Sequence, residues 1–413
     1  MIVFFSLLPV EIWALMQPIS TRFINFGVSM TSVGQLAALM GIVMLGITFL
    51  LNTRARIIES IFGGLDRAYK AHHLLGTFSF LFLLFHPIFL AVEFATFSIN
   101  SALRFFIPGG NLAINAGIFS LLSMILFLIF TFFINLKYHK WKFVHRFLGL
   151  SLMLAAIHVF LISSDISRNI FLRVYIFAFI GVGLLSFSYR TLFYRFLVEK
   201  YSCRINGVRN LGNIIKIGLE PEKKIYYSPG QFVFVCFPEI SREFHPFSII
   251  SSPEENDMSI AIKSLGDYTE KIQGIKPGGR ALVEGPYGKF NSSAREQIWI
   301  AGGIGITPFL SMAKSLVEKK AELYYCVKNK EESVFLKELQ DITMKNKNFK
   351  VFPFYSSESG FITAKFISNK TENIESKDIL ICGPAEMMRS LRRQFRDIGI
   401  EKSRIYSEEF KLL

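Results

Sequence analysis

Five of the seven histidines fall in two apolar stretches. "AHHLLGTFSFLFLLFHPIFL", from Ala71, carries His72, His73 and His86; "FVHRFLGLSLMLAAIHVFLIS", from Phe143, carries His145 and His158. Polar groups inside a bundle often do no more than hydrogen-bond across helices. Ionisable groups at membrane depth are nonetheless rare and costly, so a matched set points to function. Two imidazoles on facing helices can ligate haem iron from both sides. His72 and His86 are 14 residues apart, about 21 Å of rise and about 40° of rotation on an ideal helix, so both face one neighbour. His145 and His158 are 13 apart, about 140° off a common face. That mismatch predicts a bulge or kink near Gly149. The expectation is two haem b groups, an inner one on His72 and His145 and an outer one on His86 and His158. His73 competes with His72 for the inner place, and His139 reads as a solvated loop residue.

The elements that must position these groups show in the composition. Hydrophobic residues make up 51% of the 413, with 44 phenylalanines. Up to about residue 197 the chain is a series of apolar runs, at Ile2–Met16 and about 30–51, 71–94, 112–136, 143–163 and 170–197. Apart from the short first run, each is about the 20 residues that cross a bilayer core. Ile2–Met16 lacks a basic leader and a cleavage site, so it reads as a first membrane helix, although it contains Glu11. Lys and Arg concentrate in alternate loops: Arg54, Arg56, Arg67 and Lys70; Lys137, Lys140 and Lys142; Arg190, Arg195 and Lys200. The positive-inside rule then places the N-terminus, these loops and the soluble half in the cytoplasm. Arg22 and Arg104 are the outer basic residues available to an electron acceptor.

The formal charge of +14 does not indicate nucleic acid. Its basic residues follow the membrane loops, and no basic run with interleaved aromatics occurs in the soluble half. Cys203, Cys236, Cys326 and Cys382 all lie in that half without C-x-x-C spacing, which argues against a disulfide framework and a zinc site and fits a reducing compartment.

After residue 200, short β-rich segments separated by "SPG" and "KPGG" turns predict a small antiparallel barrel over 200–294. From 295 to 413, strand and helix alternate, predicting a parallel sheet with covering helices. "HPFSIISSP" begins at His245, "IKSLGDYTEKI" and "VEGPYGKF" follow, and "AGGIGITPFLSM" joins a strand to a helix through glycines that admit a pyrophosphate. "ICGPAEMM" ends a later strand.

These motifs, in this order, resemble those of the ferredoxin-reductase-like flavoproteins. Fused to a six-helix transmembrane haem-binding bundle over residues 1–199, they make the chain resemble the NADPH oxidase family and its ferric-reductase relatives, in the short form of the bacterial oxidases. The resemblance implies FAD held by His245, Pro246, Phe247 and Ser248, with Lys263, Asp267 and Thr269 along its ribityl–diphosphate chain. It implies a nicotinamide site at Gly302, Gly303, Gly305, Thr307 and Pro308, with Cys382, Gly383 and Pro384 beside the transferring ring. Lys328 stands where relatives have an Arg for the 2′-phosphate, so NADPH and NADH both stay open as substrate. Phe410 is the candidate C-terminal aromatic that stacks on the flavin.

The implied activity is a superoxide-generating NAD(P)H oxidase in a bacterial plasma membrane, with its dehydrogenase domain in the cytoplasm. Bis-histidine iron leaves no open position, so the acceptor, O2, would be reduced at the haem edge. Animal oxidases carry a further histidine at the position of Leu90. A ferric-chelate reductase and an electron relay to a partner protein remain alternatives. Membrane lipid is the expected surrounding, with no nucleic acid and no obligatory protein activator.

Overall fold

The computed structural model describes residues 2–408. The chain forms two compact units: the first comprises residues up to Ile58 and Arg67–Leu197, the second Glu59–Asp66 and the chain from Val198 on.

The first unit is helical. Among the described residues five helices are long and apolar enough to cross a membrane: Phe26–Leu51, Leu65–Ala95, Leu112–Phe132, His139–Leu161 and Ile170–Leu197. Ile2–Met16 is apolar but has only 15 residues, about 22 Å against a core of about 30 Å. Three spans begin with an asparagine cap. Asn25, Asn111 and Asn169 accept hydrogen bonds from the Val28, Ala113 and Leu172 N–H groups, which would otherwise be left unpaired. All three caps fall on the side the charge pattern assigns to the exterior. Close helix approach is set by small residues: a Cβ on Gly46 would lie 2.3 Å from the Phe179 carbonyl oxygen.

The expected break between His145 and His158 occurs at Phe147, not Gly149. Helix Tyr138–Arg146 ends there and Leu148–Leu161 begins, with the Leu150 N–H bonded to the Phe147 carbonyl at 2.9 Å, a tightened turn. Gly149 does other work. A Cβ on it would sit 2.2 Å from the Phe187 ring, so its bare backbone is what lets that ring pack.

The second unit holds two sheets. Strands β1 (Tyr201–Asn210), β2 (Ile214–Pro221), β3 (Phe232–Cys236), β4 (His245–Ser248), β5 (Met258–Lys263) and β6 (Arg280–Tyr287) form an antiparallel sheet in the order β4-β3-β6-β1-β2-β5. A bridge from Ile249 to Ile260 links the β4 edge to β5. Ile205, Ile217, Val233, Val235, Ile260 and Val283 bury one face.

Strands β7 (Glu296–Gly302), β8 (Lys320–Val327), β9 (Phe349–Tyr355), β10 (Asp378–Cys382) and β11 (Ile405–Glu408) form a parallel sheet in the order β11-β10-β7-β8-β9. Side chains alternate between its faces. Trp299, Ala301, Leu323 and Leu380 pack on Phe309 and Leu339 from helices Thr307–Lys314 and Leu336–Lys345. Ile298, Ile300, Tyr324 and Ile381 pack on Leu391 and Phe395 of helix Ala385–Asp397. The chain builds outward one way from β7 through β9, then returns to build the other way from β10. The order therefore reverses between β7 and β10, and the carboxyl ends of those strands are where such sheets bind ligands.

Candidate functional site

Four of the five membrane histidines are oriented by their own hydrogen bonds. The Nδ1–H groups of His72, His86 and His158 donate to the carbonyls of Thr48 (2.9 Å), Gly34 (2.8 Å) and Ala113 (2.8 Å). A carbonyl can only accept, so the proton is on Nδ1 and Nε2 keeps its lone pair. His145 Nδ1 lies 3.3 Å from the Thr131 hydroxyl, which itself donates to Phe127 O at 2.7 Å and so accepts from the ring. Metal-ligating histidines are held in this way, with the second nitrogen donating to a carbonyl or an equivalent acceptor.

The ring centroids of His72 and His145 are 6.2 Å apart. Two metal–imidazole bonds of about 2 Å each fit within that separation. His86 and His158 each have Nδ1 fixed by a carbonyl of a neighbouring helix, Gly34 and Ala113. A Cβ on Gly117 would lie 2.9 Å from His158 Nδ1, so the glycine provides the space this ring occupies. His73 is exposed, and its ring meets His72 edge-on at 5.7 Å. No group of three or more His, Cys, Asp or Glu suited to a metal occurs among the described residues. The imidazoles, each with Nδ1 occupied and Nε2 carrying a lone pair, fit a haem that they would hold.

In the second unit, β4 is the sheet's edge, where Pro246 has no ladder N–H to lose. His245, Pro246 and Phe247 are half-buried, whereas Ser248 is buried. His245 stacks on Tyr268 at 3.7 Å and 23°. A planar group can lie along this edge without displacing the core, which fits a flavin. Lys263 ends β5, and Asp267 and Thr269 lie on the short helix Asp267–Ile272. The Thr269 hydroxyl serves the turn itself, accepting from the Leu265 and Gly266 N–H groups and donating to Gly266 O.

The nicotinamide motifs meet at the point where the parallel sheet reverses. A Cβ on Gly305 would fall 2.3 Å from Cys382 O, and one on Gly383 would fall 3.0 Å from Gly302 N, so the two turns touch through bare backbone. Gly303 has φ +55° and open space at its Cβ position. The turn there feeds helix Thr307–Lys314, with Pro308 in its first turn and the Thr307 hydroxyl bonded to Ile304 O. This leaves room for a pyrophosphate at a helix N-terminus. Lys328 follows β8 and is exposed. Cys382 is fully buried, and burial, then Glu408, pushes its thiol well up, so it stays protonated.

Phe410 lies outside the described residues. The described part of β11 ends at Glu408, in register with Cys382. Its buried carboxyl is pushed well above the usual range by burial, then by Asp66 and Glu59. Glu59 itself accepts the Gly288 N–H at 2.6 Å. Sequence reasoning passed over both glutamates: Glu59 sits in a loop notable for its basic residues, and Glu408 stands out only as a neighbour of Phe410. Arg22 corrects an expectation. Its side chain is 5% exposed, and its guanidinium pairs with Asp165 at 2.7 Å and lies 3.7 Å over the Trp13 ring, so it is not available to an acceptor.

Three family descriptions match the chain: "Ferric reductase like transmembrane component" over residues 37–157, "FAD-binding domain" over 198–291 and "Oxidoreductase NAD-binding domain" over 299–393. Flavohemoprotein A of Dictyostelium discoideum is 29% identical over 49% of this chain and 58% of its own length. Respiratory burst oxidase homolog protein F of Arabidopsis thaliana is 33% identical over 31% of this chain and 16% of its own. NADPH oxidase 1 of Rattus norvegicus is 40% identical over 21% of this chain and 17% of its own. The chain thus spans less than two thirds of each. A ferric reductase-like transmembrane component joined to FAD-binding and NAD-binding domains gives this chain the architecture of the NADPH oxidase family.

Proposed function

We propose that this membrane NAD(P)H-dependent oxidoreductase is an oxidase that draws electrons from cytosolic NADPH or NADH and delivers them outside to O2 as superoxide. The observation that carries this reading is the set of four imidazoles, each fixed through Nδ1 so that Nε2 is available. In this reading Ile2–Met16 is the sixth crossing and the six-stranded sheet is the barrel that holds FAD. FAD and haem b, when bound, supply the exchange of a two-electron hydride for single electrons.

The chain's own residues bind, orient and separate. His72 and His145 hold the inner haem, and His86 and His158 the outer. His245, Pro246, Phe247 and Ser248 line the flavin edge. The open turn at Gly303, continued by Thr307, receives the nucleotide pyrophosphate. Lys328 meets a 2′-phosphate as a point charge without bidentate geometry, which leaves both nicotinamides as substrates. Cys382, protonated and buried, shapes the floor beside the ring and is no nucleophile. With Arg22 paired to Asp165, Arg104 and Arg168 are the exposed basic residues left in the outer loops.

The test is cytochrome c reduction by purified protein with FAD and NADPH, with and without superoxide dismutase. Inhibition by the dismutase is expected. Reduction that continues unchanged means direct transfer, and the oxidase reading gives way to a ferric reductase or a relay.

A further inference from the structure

Where span Leu112–Phe132 ends and helix Tyr138–Arg146 begins, a groove of about 500 Å³ opens, lined by Phe130, Leu136, His139, Lys140, Phe143 and Val144. Its apolar wall comes from both sides of the turn, and its charged rim from the short helix alone. Lys140 and Val144 are four residues apart, as are His139 and Phe143, so rim and wall share one helix face. Lys137, Lys140 and Arg146 are exposed and make no ion pair among the described residues. The sequence offers them little, since no Asp or Glu occurs between Glu93 and Asp165.

The positive-inside assignment puts this helix at the cytoplasmic surface of the bilayer. Anionic lipids concentrate in such leaflets, and basic pockets beside spans recognise their headgroups. An aqueous anion would satisfy the lysine but leave an apolar groove empty. A neutral lipid would fill the groove but not answer the net positive rim. Only one class of occupant meets both demands.

We propose that this groove holds an anionic glycerophospholipid of the cytoplasmic leaflet, with an acyl chain against Phe130, Leu136, Phe143 and Val144 and its phosphate beside Lys140. The same helix carries Trp141, which stacks on His145 at 5.1 Å and 16°, so the lipid braces the element that orients a proposed inner ligand.

The full chain is reconstituted in nanodiscs of phosphatidylcholine, with or without an equal share of phosphatidylglycerol, and lipid retained after release is counted by native mass spectrometry. Wild type is expected to retain phosphatidylglycerol in preference to phosphatidylcholine. Lys140→Gln should cut that retention about fivefold, the usual weight of one surface lysine on an anionic membrane. Val144→Trp, which fills the groove and keeps the charge, should also lower it, and Lys365→Gln, in the second unit, should not. Equal retention of the two lipids by wild type overturns the proposal. So does unchanged phosphatidylglycerol in folded Lys140→Gln and Val144→Trp proteins. Should either variant fail to fold, the wild-type preference and the other variant still decide.

Discussion

The imidazoles of His72 and His145 lie ring to ring, 6.2 Å between centroids, although 73 positions separate them in the chain. Each is fixed through Nδ1, His72 by Thr48 O and His145 by the Thr131 hydroxyl. This relation separates His72 from its neighbour. His72→Ala is expected to lower haem bound per chain, and His73→Ala to leave it unchanged. The pyridine haemochrome assay measures both. Full haem in His72→Ala protein would remove the inner pair from the account.

Gly117 makes the outer pair testable without touching a ligand. A methyl there would stand 2.9 Å from His158 Nδ1 and push the ring off Ala113 O. Overpacking of this kind costs about 1–3 kcal/mol. Gly117→Ala should lose outer haem and shift the absorbance spectrum, while Gly181→Ala, with open space at its Cβ position, should match wild type.

Glu338 ties the two sheets of the second unit together, reaching Lys314 at 3.0 Å and Lys216, on β2, at 3.4 Å. Burial alone would raise its carboxyl, but the two ammonium groups outweigh that and hold it below the usual range. A depressed folded-state value adds stability above the unfolded carboxylate pKa, and that gain is lost as pH falls through the folded value. Glu338→Gln should therefore lower the melting temperature by about 2–4 °C at pH 7, the response to about 1 kcal/mol in a unit of this size. The gap to wild type should close as the pH enters the acid range. A pH-independent difference would mean the carboxylate's charge is not what joins the sheets.

Arg22 and Asp165 form a buried pair, with Arg22 Nη2 also donating to Trp13 O at 3.0 Å. Removing one partner of such a pair costs about 3–5 kcal/mol, because the other charge is left unmatched. Arg22→Ala should lower thermal stability sharply. Arg22→Met with Asp165→Leu should recover much of the loss. The double variant should also keep its rate of acceptor reduction if Arg22 has no part in meeting the acceptor.

What the sequence determined by itself was whatever depends on near neighbours. Apolar runs marked the long spans because crossing a bilayer demands about 20 consecutive apolar residues. Alternating strands and glycine turns marked the second unit, where Gly302–Pro308 and Cys382–Pro384 each carry their geometry in a few adjacent positions. The 13-residue spacing of His145 and His158 even required a break in the helix, because an unbroken one would turn the two rings to different faces. Tertiary structure alone decided the rest. Whether His72 or His73 turns to a partner depends on which helix lies opposite. The break lies at Phe147, while Gly149 admits the Phe187 ring. Arg22 found Asp165 across 143 positions, and Glu59 was drawn to Gly288 across 229. Local pattern records what a residue prefers among its neighbours; which distant group satisfies a buried charge or an imidazole is settled only when the elements pack.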